Sequence, residues 1–310
     1  MPAPTPGPDP SSVLIPGPWR HRDISANGTR FHVAEAGDSE GPLVLLLHGF
    51  PEFWWSWRHQ LVALADAGYR AVATDLRGYG ASDKPPRGYD AFTLSADVAG
   101  LIRALGAQDA ALVGHDWGGF LSWTSAAVHP GAVRQLVVVS CPHPLRQRHA
   151  MLTQPRGQLS ASRYMMSFQL PWRPERRLVA DDAALTGQLL HEWGGPAFPD
   201  QETERRLRDA IRIPGVAHCA LEYYRWTIRS VVRSDGRRMV RALERPIKPP
   251  TLQLHGSLDP ATLPATAMGS GRYVRGKYEW RLFEGLGHFP HEEDPGAVTA
   301  EILRWLAEGS

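Results

Sequence analysis

The most reactive arrangement in the sequence is a carboxylate held between glycines, in ALVGHDWGGFLSWTSAA (111–127). A short apolar run ends at Gly114, and Gly118 and Gly119 open a helix-like stretch. A strand that turns sharply into a helix needs small residues on both sides of the turn, because the two backbones approach closely there. Such a turn presents its tip residue as a nucleophile, and the residue here is Asp116. A carboxylate attacks carbon without the help of a base and leaves an ester. On a carboxylic ester it would only exchange acyl groups. Its natural electrophile is an sp³ carbon with a leaving group, such as an epoxide or an alkyl halide. The competing use of Asp116, as an N-cap accepting helix N–H bonds, leaves the flanking glycines unexplained.

Nucleophile, acid and His follow one another in that chain order in proteins with this turn. TLQLHGSLDPATLP places Asp259 in the loop after a strand, and FEGLGHFPHEEDP places His288 in a Gly-rich loop after YEWRLF. Asp259 is expected to orient His288, and His288 to act as general base. The first long apolar strand ends in His48-Gly49-Phe50-Pro51. The backbone N–H groups of Phe50 and Trp117 are therefore expected to form an oxyanion hole, with His48 and His115 as structural neighbours. His288, His291, Glu292, Glu293 and Asp294 form a cluster that could suggest a metal, but no second cluster with ligand spacing supports one. The acidic run is expected to serve the N-terminus of the last helix. No metal and no cofactor is expected.

These residues need a scaffold. RFHVAEAG (30–37) alternates as a strand with one wet face should, and LVLLL, AVAT, AALVG, LVVVS and TLQLH are short apolar runs of the kind buried in parallel sheets. Helix-like stretches at 56–67, 93–105, 119–129 and 297–306 alternate with them. The reading is an α/β chain with helices on both faces of a mostly parallel sheet. After Ser140 about a hundred residues pass before the strand pattern resumes at Thr251, and this stretch reads as helices. The expected division is a core of 19–142 and 247–310 with a helical cap over 143–246. Residues 1–18 carry Pro at 2, 4, 6, 8, 10, 16 and 18 and read as a disordered, extended tail without signal-peptide character.

Composition narrows the class. With 34 Lys+Arg against 32 Asp+Glu the net charge is +2, so the overall balance gives no pull toward nucleic acid or an anionic membrane. Two cysteines make no disulfide scaffold, and no apolar run is long enough to span a bilayer. A cytoplasmic enzyme acting on a small molecule is expected, with no nucleic-acid partner.

HGFPEFWWSWRHQ, DLRGYGASDKP (75–85), VGHDWGG (113–119) and GHFPHEE (287–293) resemble motifs of the α/β-hydrolase-fold epoxide hydrolases of the bacterial soluble type. HGFP and HDWGG are similar to haloalkane dehalogenases as well. The resemblance implies an α/β-hydrolase fold with a mainly helical cap inserted after the sixth strand, and a hydrolase acting on ether bonds. It also implies two cap tyrosines that donate to the epoxide oxygen. RYMMSFQLPW (163–172) maps the first onto Tyr164, and ALEYYRW (220–226) maps the second onto Tyr224, with Tyr223 as its rival. Phe168, Trp172, Trp193 and Trp226 suggest an apolar or aromatic pocket, and Phe168, Trp172 and Trp226 are expected to touch substrate.

The implied reaction opens an epoxide through a hydroxyalkyl ester on Asp116, which water activated by His288 hydrolyses to a vicinal diol. Haloalkane dehalogenation by the same carboxylate is the alternative. A ligand-binding protein on the same fold is a third reading.

Overall fold

The computed structural model describes residues 7–309. Eight strands form one sheet: β1 (Arg20–Ala26), β2 (Thr29–Ala36), β3 (Leu43–Leu47), β4 (Arg70–Thr74), β5 (Ala110–His115), β6 (Val133–Val139), β7 (Thr251–Gly256) and β8 (Tyr278–Phe283). Their spatial order is β1-β2-β4-β3-β5-β6-β7-β8. β1 and β2 run antiparallel to their neighbours, and the pairs from β4 through β8 are parallel. Every residue of β3, β4, β5 and β7 is buried, which is why these segments are apolar without alternation.

β1 was not expected. It pairs with β2 through a two-residue turn at Asn27-Gly28, both at positive φ (47° and 70°), the conformation that favours Asn-Gly in hairpins. That dipeptide was the available signal. β2 also departs from its alternating reading, because all but one of its residues are buried.

Helices α1 (Arg58–Asp66), α2 (Ala91–Ala104) and α3 (Trp117–Val128) connect the strands up to β6. Between β6 and β7 lie α4 (Pro144–Thr153), α5 (Gln158–Ala161), α6 (Tyr164–Ser167), α7 (Arg173–Trp193), α8 (Gln201–Arg212), α9 (Val216–Ser230) and α10 (Ser234–Leu243). This helical insertion follows the sixth strand, as expected. α7 breaks at Asp181–Ala183, which take left-handed backbone angles. The chain ends with α11 (Pro264–Ala267), α12 (Pro290–Glu293) and α13 (Pro295–Glu308). No helix among the described residues is long and apolar enough to cross a membrane.

The N-terminal segment corrects the expectation of a disordered tail. Residues 1–6 lie outside the described residues, but beyond them the chain lies against the core. Asp9 caps a 3-10 turn at Pro10–Val13, Val13 is buried, and its carbonyl accepts the indole N–H of the buried Trp54 at 2.8 Å. Trp19 donates to the Ile15 carbonyl and stacks edge-on against Trp54. Proline fixes the path of this segment, and aromatic burial ties it down.

Candidate active site

β5 delivers Asp116 to the sheet's C-terminal edge, and α3 begins at the next residue. Asp116 sits at φ 48°, ψ −113°, a conformation that L side chains avoid. Close packing enforces it. A Cβ on Gly114 would collide with the Gly118 carbonyl, and one on Gly118 would collide with the Leu47 carbonyl at the end of β3. Although Asp116 occupies the N-cap position, its carboxylate makes no capping bond. Asp116 Oδ1 instead accepts the backbone N–H of Phe50 at 3.0 Å.

The loop after β7 brings Asp259 to the same edge, fully buried. Its Oδ1 accepts the N–H groups of Ala261 and Thr262 at 2.9 and 2.8 Å, and its Oδ2 accepts from His288 Nδ1 at 2.8 Å. Burial opposes the Asp259 carboxylate, but His288 and His255 outweigh it and hold its pKa below the usual range. Because Nδ1 is committed to Asp259, His288 turns Nε2 toward Asp116, 3.8 Å from Oδ2. Burial disfavours the imidazolium, yet Asp259 first and Asp116 after it raise the His288 pKa to about 10.

Behind this set lies a buried cluster of one carboxylate and two imidazoles. Glu52 Oε2 faces His115 Nδ1 at 2.7 Å and accepts the Gly49 N–H at 2.9 Å, while Glu52 Oε1 lies 3.1 Å from His291 Nε2. His115 Nε2 donates to the His288 carbonyl at 2.8 Å. Glu52, His115 and His291 bring ligand atoms within 4.8 Å of one another, the one such grouping found among the described residues. Burial works against the Glu52 carboxylate, but His115 and His291 prevail and hold it well below its ordinary value.

A cavity of about 510 Å³ opens over Asp116, lined by the nucleophile-turn residues, by Tyr164 and Tyr224, and by apolar side chains such as Phe120, Met165, Met239 and Leu243. Tyr223 and Tyr224 diverge on α9. The hydroxyl of Tyr223 donates to the Arg77 carbonyl at 2.8 Å, whereas the buried hydroxyl of Tyr224 has no partner. The rings of Tyr164 and Tyr224 are 5.9 Å apart. Burial first, then neighbouring groups including Asp116, raises both phenol pKa values, so both hydroxyls keep their protons.

Residues 42–295 match the alpha/beta hydrolase fold family. Epoxide hydrolase 3 of Xenopus tropicalis is 36% identical over 289 residues, covering 91% of this chain and 76% of the relative. Epoxide hydrolase A of Mycobacterium tuberculosis is 31% identical, covering 92% and 96%. The chain belongs to the epoxide hydrolases of the α/β-hydrolase fold. Among solved structures, an epoxide hydrolase from Bacillus megaterium, complexed with its naphthyloxy-propane-1,2-diol product, is 28% identical. It superposes at a TM-score of 0.81, with 92% of this chain and 100% of that chain covered. An epoxide hydrolase from an endophytic Streptomyces is 30% identical with a TM-score of 0.81, covering 94% and 96%.

In this epoxide hydrolase family member, two of the expected substrate contacts stand elsewhere. Trp172 is 75% exposed, in a left-handed position at the start of α7, and does not line the cavity. α7 begins at the next residue, Arg173, with Pro174 in its first turn. Phe168 is buried against Phe50, Tyr164 and Tyr224, so it supports the phenols from behind and lies outside the cavity lining. Trp226 does line the cavity and donates its N–H to Asp235 at 3.1 Å.

The acidic run after His288 does more than serve a helix start. Asp294 caps α13 by accepting from Ala297, as expected. Glu292 pairs with both carboxylate oxygens to Arg58 at 2.8 Å. Glu293 accepts the N–H groups of Gly195, Gly287 and Phe289, tying the His288 loop to the helical insertion. Sequence reasoning missed Glu293 and Glu52. The signal for Glu52 was a carboxylate within the apolar run HGFPEFWW, where an acid has no solvent to face.

Proposed function

We propose that this protein hydrolyses an apolar epoxide to a vicinal diol through a hydroxyalkyl ester on Asp116. The observation that carries the reading is the unequal environment of the two carboxylate oxygens. Oδ1 is held by the Phe50 N–H, and Oδ2 has no hydrogen bond and faces His288. Oδ2 is the attacking atom, and Oδ1 becomes the ester carbonyl oxygen without leaving its donor.

Tyr164 and Tyr224 donate to the epoxide oxygen as Oδ2 attacks a ring carbon from the opposite face. The C–O bond of the ring breaks, the ester C–O bond forms, and a phenol proton passes to the new alkoxide. His288, oriented by Asp259, then removes a proton from water, which attacks the ester carbon. Negative charge collects on Oδ1, where the N–H groups of Phe50 and Trp117 stabilise it. Collapse releases the diol and restores the carboxylate, as the proton of the attacking hydroxyl passes to the departing alkoxide and the proton on His288 returns to the phenolate. The buried cavity and its apolar lining favour an apolar substrate.

The proposed division of labour is a core of 19–142 and 247–310 under a cap of 143–246. A cytoplasmic setting accords with Cys141 and Cys219, both buried free thiols.

The test is His288→Gln exposed to panels of epoxides and haloalkanes, followed by intact-mass measurement. The expected result is a gain equal to the whole epoxide, lost on adding Asp116→Asn. A gain equal to the haloalkane less HX, with no epoxide adduct, would make this a dehalogenase. A folded protein that binds epoxides without adduct or turnover would leave a binding protein.

A further inference from the structure

The net charge of +2 conceals a strong local asymmetry around the cavity mouth. Asp116, Tyr164 and Tyr224 mark the inner end of the cavity, and the exposed Arg148, Leu152, Val231 and Arg237 mark its outer end. The two segments that build this outer end, 144–165 and 226–243, carry nine arginines and one acid, Asp235. Residues 181–222, elsewhere in the insertion, carry eight acids and four arginines. Unbalanced arginines are therefore concentrated in one part of the insertion.

Their pairing differs as well. On α8, Arg205, Arg206, Arg208 and Arg212 each bridge to an acid. Of the nine arginines in these two segments, of which Arg148 and Arg237 line the cavity itself, only Arg233 has an acidic partner among the described residues, Asp235 at 3.4 Å. Arg148, Arg156, Arg163, Arg229 and Arg241 are exposed and unpaired. Large apolar side chains stand among them: Leu152 is 75% exposed, Val231 61% and Val232 81%. Charge without counter-charge, interleaved with exposed aliphatic side chains, is what an interfacial lipid-binding surface presents.

We propose that the rim of this mouth docks on an anionic phospholipid bilayer, with Leu152, Val231 and Val232 entering the headgroup layer and the arginines facing lipid phosphates. A second copy of the chain is a poor occupant, since a two-fold contact would set the unpaired arginines of one copy against those of the other. A nucleic acid would satisfy the arginines but leave the valines and leucine against phosphate. The docking does not depend on the chemistry proposed for Asp116. Delivery of an apolar epoxide straight from the bilayer into the cavity rests on that chemistry as well.

The experiment is sedimentation of the full chain with phosphatidylcholine vesicles and with vesicles half phosphatidylglycerol. Binding to the anionic vesicles alone, released by salt, is expected. The double variant Arg229→Glu/Arg241→Glu, at positions outside the cavity lining, should weaken binding at least about tenfold. Val232→Asp should weaken it too, while the melting temperature and turnover of a water-dissolved epoxide stay unchanged. Equal binding to neutral vesicles, no binding to either, or binding indifferent to these substitutions would overturn the proposal. So would a dimer in sedimentation velocity that the same charge reversals dissolve, or binding to a DNA duplex as tight as to anionic vesicles and untouched by Val232→Asp.

Discussion

His288 Nε2 stands 3.8 Å from Asp116 Oδ2, beyond hydrogen-bond reach, while Nδ1 is fixed to Asp259 at 2.8 Å. One imidazole thus sees two carboxylates in different ways. Asp259 is its bonded partner. In the proposed reaction Asp116 is the neighbour that loses its charge, as Oδ2 becomes an ester oxygen. On that proposal the proton affinity of His288 depends on the stage of the reaction.

At rest the two carboxylates overcome burial and hold His288 at about 10. In the ester, burial and Asp259 remain but the Asp116 charge is gone, so the pKa falls below that value and the ring becomes available as a base. Rapid-quench mass spectrometry should show ester formation nearly flat from about pH 6 to 9. Ester hydrolysis should rise with pH through an apparent pKa below 10. A hydrolysis rate independent of pH over that range would contradict the assignment of His288 as base.

The adjacent tyrosines of α9 should separate stability from chemistry. Tyr223→Phe leaves the buried Arg77 carbonyl without its donor and should cost about 1–3 kcal/mol of stability with little change in the rate of ester formation. Tyr224→Phe removes a hydroxyl that has no protein partner. It should leave the melting temperature unchanged or slightly raised and slow ester formation by roughly 10²-fold. The converse pattern in stopped-flow and thermal scans would transfer the donor role to Tyr223.

The site was legible in the sequence where its logic is local. Glycines at 114, 118 and 119 around Asp116 signal a tight turn, Asp259 follows the short apolar run TLQLH, and His288 sits in a Gly-rich loop after YEWRLF. What was hidden depends on distant partners. The outward turn of Trp172 follows from how α7 leaves the preceding loop, and the fate of Val13 depends on the Trp54 indole forty-one residues away. Glu292 and Glu293 looked like one acidic run, yet one faces Arg58 and the other gathers three backbone N–H groups. The resemblance put Tyr224 ahead of Tyr223, and the physical difference between them, the Arg77 carbonyl that takes the Tyr223 hydroxyl, lies far away in the sequence.

The tryptophans of the helical insertion supply a direct comparison. Trp172→Ala removes an exposed indole and should change stability by less than about 0.5 kcal/mol without affecting kinetics. Trp226→Ala enlarges the cavity and should alter KM for bulky epoxides severalfold while leaving kcat for a small one nearly intact. Equal effects of the two substitutions on a substrate series would contradict the position assigned to the cavity.

Glu292 offers a stability signature independent of catalysis. Its burial outweighs the attraction of Arg58 and raises its pKa from 4.5 to about 7. The folded state therefore holds a proton that the unfolded chain has already released between these two values. Where the folded state binds more protons, stability falls as pH rises. The contribution is fully present below pH 4.5 and is lost through about pH 7, on the order of 3 kcal/mol. Glu292→Gln keeps the shape and hydrogen-bonding capacity of the side chain but cannot titrate. Urea unfolding of both proteins from about pH 4.5 to 7.5 should show the parent losing stability relative to the variant as pH rises. Parallel curves would mean that Glu292 stays ionised in the fold, and that the Arg58 pair, not burial, sets its protonation.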